Sequence, residues 1–131
     1  MKRLNERFQD FSNALKRLEE ATREVPSEIV IDGTIQRYEF TFELAWKTTK
    51  DYLEYNGIVN DVATPREIIQ QAYISKVIDD GEIWIQMMLD RKSLSHLYDE
   101  EKSRIIYDNI RSKYIVEFQK LKKFKFLKVG G

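Results

Sequence analysis

The chain is 131 residues long and carries 22 basic and 22 acidic residues, so its net charge is zero and any contact with nucleic acid must be local rather than driven by an overall field. It has no cysteine and one histidine, which excludes disulfides and thiolate chemistry and argues against a zinc site. No apolar run is long enough to span a bilayer and the amphipathic start is unlike a signal peptide, so we expect a cytoplasmic protein without membrane contact.

Two amphipathic helices are predicted in the first half of the chain. Apolar residues spaced alternately by four and three positions place one hydrophobic stripe on a first helix that ends before Pro26. A second helix ends at Asn56-Gly57, where glycine can adopt the left-handed conformation that closes a helix. Apolar residues surround much of this second helix, so we expect it to lie in the middle of the fold, covered by other helices or by a second copy. Its buried positions are predicted to be Tyr38, Phe42, Ala45, Trp46 and Leu53.

Three more helices are predicted in the second half. Thr64-Pro65-Arg66-Glu67 combines a threonine N-cap, a proline in the first turn and a capping-box glutamate, and it predicts a third helix that ends near Val77. A break at Asp79-Asp80-Gly81 precedes a fourth helix that begins near Glu82. The last helix begins around Asp99, because acidic residues there suit the positive end of a helix dipole.

These patterns predict one all-α domain over residues 1–131. The segment from about residue 120 to residue 131 departs from the rest in composition, because it is basic, aromatic and free of acids. It is either an arm that binds phosphate or a partner, or a fraying helix end with solubilising lysines.

The most informative motif is Arg91-Lys92-Ser93-Leu94-Ser95-His96-Leu97-Tyr98, which contains the single histidine. Arginine offers a planar cationic fork for phosphate and histidine titrates near neutral pH, so the pair suffices for phosphodiester chemistry without a metal. On a regular helix His96 lies roughly 140° around from Arg91. The two converge only if the helix ends or kinks between them, if Arg91 reaches around, or if two subunits contribute one residue each. The structural alternative is that His96 caps or packs a helix end while Arg91 pairs with a nearby carboxylate such as Asp90 or Asp99.

Three separated segments of the chain resemble the nucleotidyltransferase substrate-binding family, which is part of the HEPN superfamily. They are residues 36–47, residues 64–67 and residues 89–100. The resemblance runs from the first helix to about Tyr114. It implies a five-helix, largely up-and-down bundle that forms a homodimer and binds a minimal nucleotidyltransferase encoded beside it.

The resemblance also implies roles for individual residues. In many HEPN proteins the pattern of arginine, four residues, histidine, one residue and tyrosine marks a metal-independent ribonuclease toxin, and the partner acts as antitoxin and can adenylylate the tyrosine. The pattern falls here on Arg91, His96 and Tyr98, which become candidate catalytic residues, and Tyr98 is also a candidate modification site. Arg91, Lys92, Ser95 and His96 are the candidate substrate-binding residues. Asparagine often follows the arginine in the toxins, whereas this chain has Lys92.

Three functions are consistent with these features, and none of them requires a metal or another cofactor. The first is a non-catalytic subunit that binds a nucleotide or an RNA phosphate for its nucleotidyltransferase partner. The second is an endoribonuclease toxin in which His96 moves a proton and Arg91 stabilises charge on the phosphate. The third is a purely structural helical bundle.

Overall fold

The computed structural model describes residues 2–94 and 99–126, and this described part is helical without any strand. Its helices are α1 (Lys2–Thr22), α2 (Glu28–Tyr55), α3 (Pro65–Ile74) and α4 (Gly81–Ser93), followed by α5 (Glu100–Asn109), a π-helical turn (Ile110–Tyr114) and α6 (Ile115–Lys123). The last three segments succeed one another without a gap and together form the predicted fifth helix. The all-α, five-helix prediction is therefore confirmed. None of the helices in the described ranges has the length and apolar character needed to cross a membrane.

Side-chain caps fix where four of the helices begin. Ser27 Oγ, Asp80 Oδ1 and Asp99 Oδ1 each accept a hydrogen bond from the backbone amide three residues further on. Thr64 and Glu67 form the predicted capping box, in which each side chain accepts from the other residue's amide. These contacts satisfy amides that a helix start otherwise leaves unpaired, so the polar residues set the boundaries.

Backbone conformation explains how α2 and α3 end. Gly57 follows α2 with a φ of 71°, in the left-handed region, as predicted. The third helix ends at Ile74, before the predicted end near Val77, because Lys76 also adopts a left-handed conformation with a φ of 62°. The Val77 amide then donates to the Ala72 carbonyl at 2.8 Å, which turns the chain back against the bundle.

Helix α2 lies in the middle of the bundle, in contact with α1, α3, α4 and α5. The predicted core residues Tyr38, Phe42, Ala45 and Leu53 are all buried. Trp46 is half-buried, because it lies at the border of the core rather than inside it. Phe40, on the same helix, leaves 64% of its surface exposed.

Aromatic contacts hold the central helices in register. The Tyr38 ring stacks on Tyr114 with centroids 5.6 Å apart, and the Tyr38 hydroxyl donates to the Met87 carbonyl at 2.6 Å. Trp84 packs edge-on against Phe118 at 5.6 Å. These contacts fix α4 against α2 and against the last helical segments.

The described part of the basic tail, to Phe126, packs its aromatic residues on the bundle and does not fray. Phe124 and Phe126 pack edge-on against Tyr52 with centroid separations of 5.2 and 5.5 Å, and Phe126 also contacts Phe8. Phe126 is buried, so the chain folds back on α1 and α2 here and closes one end of the core.

Candidate functional site

A groove of about 510 Å³ lies where the end of α4 meets α2 and the first turn of α3. Its charged lining residues are Glu43 from α2, Arg66 from α3, and Arg91 and Lys92 from α4. Phe42 and Trp46 are its aromatic lining residues. Since three of the four charged side chains are basic, we name this surface the cationic groove; on a chain with zero net charge it is a local site for an anion.

Glu43 holds the side chains of this groove together. Its Oε2 atom lies 3.3 Å from an Arg91 guanidinium nitrogen and accepts a hydrogen bond from Trp46 Nε1 at 3.1 Å. Its other oxygen lies 3.1 Å from Lys47 Nζ. One carboxylate therefore positions both the indole and the guanidinium.

The electrostatic surroundings keep Glu43 ionised. Partial burial alone would raise the pKa of this carboxyl. The hydrogen bonds from Lys47 and Trp46 and the positive charges of Lys47 and Arg91 outweigh that effect and lower the pKa below its ordinary value. Arg91 thus keeps an anionic partner at neutral pH.

The Arg91 guanidinium keeps hydrogen-bonding capacity beyond Glu43. Its Nε atom is buried and has no hydrogen-bond partner within the described ranges. About a third of the side chain is exposed. A guanidinium carries five N–H donors in a fixed fork, so contact with one carboxylate oxygen leaves donors that a phosphate can use.

Arg91 does pair with a carboxylate, as the structural alternative expects, but with neither of the two examples, Asp90 and Asp99. Asp90 accepts a hydrogen bond from the Tyr114 hydroxyl, and Asp99 caps α5 by accepting from the Lys102 amide at 3.1 Å. The residue that pairs with Arg91 is Glu43, which approaches from another helix. Because Glu43 is far from Arg91 in the sequence, the residues that flank Arg91 do not reveal this pairing.

The π-helical turn explains how Tyr114 reaches Asp90. Within this turn the Ile115 amide donates to the Ile110 carbonyl, five residues back, which widens the helix locally. Burial and the adjacent Asp90 carboxylate raise the pKa of Tyr114 above its ordinary value, so its hydroxyl stays a donor. This hydrogen bond holds the side chain of Asp90, the residue that directly precedes Arg91.

The predicted site residues are only partly within the described structure. Arg91 and Lys92 line the cationic groove. Ser95, His96 and Tyr98 lie outside the described residues. Helix α4 ends at Ser93, so the helix does end between Arg91 and His96, which is one of the three arrangements that would let the two side chains converge.

The three segments that carry the family resemblance all contribute to this one groove. Residues 36–47 supply Glu43 and Trp46, residues 64–67 supply Arg66, and residues 89–100 supply Arg91 and Lys92. Glu43, Trp46 and Arg66 were not predicted as site residues. The one signal in the sequence was that all three residues belong to these segments. The sequence did not show that the segments pack together.

A second groove, of about 750 Å³, lies between the end of α3 and the start of α4, at the opposite ends of these two helices from the cationic groove. It is lined by the exposed apolar residues Tyr73 and Ile74 and by Asp79, Asp80 and Glu82, and we name it the acidic groove. Despite these acids, no group of three or more metal-ligating side chains in the described ranges is arranged to hold a metal ion.

Comparison with known proteins places the chain among nucleotidyltransferase-associated proteins. The family described as "Nucleotidyltransferase substrate binding protein like" matches residues 6–125. A Haemophilus influenzae protein named "Probable ribonuclease HepT" is 30% identical over 89 residues, which are 66% of this chain. The match spans 61% of that relative's length.

Two solved structures share the fold. A Thermus thermophilus protein superposes with a TM-score of 0.77 at 28% identity, over 85% of this chain and 94% of that one. A Haemophilus influenzae protein superposes with a TM-score of 0.68 at 25% identity, over 93% of this chain and 96% of that one. The second structure is described as revealing the fold of a substrate binding domain of a nucleotidyltransferase.

Proposed function

Because this chain belongs to the family of nucleotidyltransferase substrate-binding-like proteins, we propose that it is the HEPN-type substrate-binding subunit of a two-component, cytoplasmic system. Its partner is a minimal nucleotidyltransferase encoded nearby, and the pair acts in the manner of a toxin and its antitoxin. In this proposal Arg91 binds a phosphate of a nucleotide or an RNA, and Lys92, Ser95 and His96 contribute to the same site.

The observation that carries this proposal is the position of Arg91 in the cationic groove. Its guanidinium is held by Glu43 at 3.3 Å, and about a third of the side chain is exposed. A held, partly exposed guanidinium needs little reorganisation to accept a phosphate, which favours binding.

The direct test measures the binding of ATP and of a short single-stranded RNA by calorimetry or fluorescence anisotropy. Replacing Arg91 by Gln should weaken binding roughly 10- to 100-fold, because a charge-assisted hydrogen bond is lost. Arg17→Gln is the matched control, since it removes an exposed arginine from α1, away from the groove. Equal affinities of the Arg91 variant and the wild type would contradict the proposal.

The working unit is proposed to be a homodimer. Phe40 is 64% exposed on the central helix, as expected for an apolar side chain that a second copy covers. Light scattering at micromolar concentration should report close to twice the 15.7 kDa chain mass. A stable monomer that retains ligand binding would reject the dimer as the working unit.

A second candidate function is supported by the 30% identity to a relative named as a probable ribonuclease. In this case the protein is a metal-independent endoribonuclease. The 2′-hydroxyl of the RNA attacks the adjacent phosphorus while His96 accepts its proton, and the 5′ oxygen of the next nucleotide leaves and takes up a proton. Arg91 stabilises the charge on the phosphoryl oxygens. With one histidine per chain, an acid and a base together require His96 of both subunits.

Cleavage and modification assays separate the two functions. An active ribonuclease should cleave RNA in the presence of EDTA, and His96→Ala should abolish this activity. The partner nucleotidyltransferase with ATP should then add a nucleotide to Tyr98, measured as a mass increase that Tyr98→Phe removes. A subunit that only binds its ligand should bind RNA without cleaving it.

A further inference from the structure

We propose that the cationic groove binds a nucleotide with its base against Trp46 and its phosphate between Arg66 and Arg91. This inference rests on the proposed function and makes it specific, because it assigns separate residues to the base and to the phosphate. Neither Trp46 nor Arg66 belongs to the motif around Arg91, and both reach the groove from other helices.

Trp46 is placed as a stacking surface. It lines the cationic groove and also a small internal cavity shared with Ile68 and Trp84, so its indole lies at the border between the core and the groove. The hydrogen bond from Nε1 to Glu43 at 3.1 Å fixes the orientation of the ring. A tryptophan held in this way offers a flat apolar surface, which suits the stacking of a nucleobase.

Arg66 occupies a position that helix stability does not explain. It lies in the first turn of α3, at the positive end of the helix dipole, where a cation is disfavoured. Its side chain is exposed and lines the same groove as Arg91. An anionic ligand in the groove would interact favourably with both guanidinium groups and with the positive end of the helix.

The aromatic and cationic parts of the groove adjoin, as the base and the phosphate of one nucleotide do. Trp46 Nε1 and the Arg91 guanidinium both contact the same oxygen of Glu43, at 3.1 and 3.3 Å, so the aromatic and cationic surfaces adjoin. A nucleotide joins an aromatic base to an anionic phosphate through one ribose. The groove volume of about 510 Å³ falls within the range usual for small-molecule sites.

The experiment compares AMP with ribose 5-phosphate, which has the same sugar and phosphate but lacks the base. Calorimetry on the full chain should show that AMP binds roughly 5- to 150-fold more tightly, the contribution expected of one stacked base. Trp46→Leu should remove this preference, so that the variant binds AMP and ribose 5-phosphate with equal affinity. Tyr55→Leu, which removes an exposed aromatic ring from the same helix outside the groove, is the control and should keep the preference.

Arg66→Gln should weaken AMP and ribose 5-phosphate by the same factor, because it acts on the phosphate that both share. Equal affinities of the wild type for AMP and ribose 5-phosphate would overturn the base surface and leave the anion site of the proposed function in place. Failure of both ligands to bind would overturn the inference, whereas the proposed function is overturned only if ATP and single-stranded RNA also fail to bind. Since the wild-type comparison requires no variant, a Trp46 variant that fails to fold does not prevent the test.

Discussion

The cationic and acidic grooves lie at opposite ends of the helix pair α3 and α4 and carry opposite charge, and α2 also lines the cationic groove. The start of α3 supplies Arg66 to the cationic groove, and the end of α4 supplies Arg91 and Lys92. The acidic groove lies at the end of α3 and the start of α4, where Asp80 and Glu82 line it. This helix pair therefore separates charge along its length, although the whole chain is neutral. Net charge alone conceals a surface of this kind.

Helix stability accounts for part of the difference. Asp80 and Glu82 lie at the positive end of α4, and Arg91 and Lys92 lie in its last turn, so all four complement the helix dipole. Arg66 at the start of α3 opposes it. The link between Arg91 and Glu43 on α2 is also unrelated to the dipole of α4. What distinguishes the cationic groove is therefore the placement of Arg66 and Glu43, which favours a binding role for this groove.

The largest effect is expected from Trp84, which lies on α4 between the two grooves. It is buried and packs against Phe42 and Phe118 at 6.2 and 5.6 Å. Trp84→Ala should lower the free energy of unfolding in urea by about 3–5 kcal/mol. It should also destabilise the packing of α3 against α4 at both ends of the helix pair. Leu89→Ala, at an exposed position of the same helix, is the control and should change it by at most ~0.5 kcal/mol. A Trp84 variant as stable as the wild type would show that the two grooves do not depend on a shared core.

The sequence predicted the helices and Arg91 because both depend on local patterns. Apolar periodicity, the Thr64 capping box, the break at Asp79-Asp80-Gly81 and the acidic helix start at Asp99 each depend on a few neighbouring residues and can be read directly. Arg91 was identified because the motif around it is also local.

The partners of Arg91 and Asp90 could not be predicted in the same way. Glu43 meets Arg91 only after α2 packs against α4, and periodicity does not specify which helix faces meet. Tyr114 reaches Asp90 through a π-helical turn, and residues 110–114 have the same apolar spacing as an ordinary helix. The apolar pattern of the sequence therefore specifies neither long-range packing nor a local change of helix type.

An intermediate effect, restricted to the cationic end, is expected from Tyr114→Phe. The variant leaves Asp90 without the Tyr114 hydroxyl and should cost about 1–3 kcal/mol of unfolding free energy. It should also weaken phosphate binding, since Asp90 precedes Arg91 in the last turns of α4. Phosphate binding at wild-type affinity would show that this contact does not position Arg91.

The same variant tests the alkaline stability of the bundle. The pKa of Tyr114 is raised in the folded state by burial and by Asp90, and burial likewise raises that of Tyr38. A raised folded-state pKa gives stability that is complete below the unfolded value of about 10 and is lost as the pH rises above it. Melting temperatures of the wild type should therefore fall above about pH 10. The fall should be shallower in Tyr114→Phe, and identical slopes would contradict the assignment.

The smallest effect is expected from Glu43→Gln. The ion pair between Glu43 and Arg91 is partly exposed, so its loss should cost only about 0–1 kcal/mol. The folded-state pKa of Glu43 is lowered, so its contribution is present above the unfolded value of about 4.3 and is lost as the pH falls through the folded value. Stability measured by chemical denaturation below about pH 5 should decline less steeply in the variant than in the wild type. An unchanged slope would show that Glu43 is not the group that titrates in this pH range.

The most direct test of the difference between the two grooves is a nuclear magnetic resonance titration of the isotope-labelled wild-type chain with AMP. We expect shifts in the indole N–H of Trp46 and in the backbone amides of the residues that line the cationic groove, which are Thr64, Arg66, Met88, Leu89, Arg91 and Lys92. The amides of residues 79–85, beside the acidic groove, should not shift. Shifts confined to residues 79–85, or equal shifts at both ends of the helix pair, would contradict the assignment of ligand binding to the cationic groove.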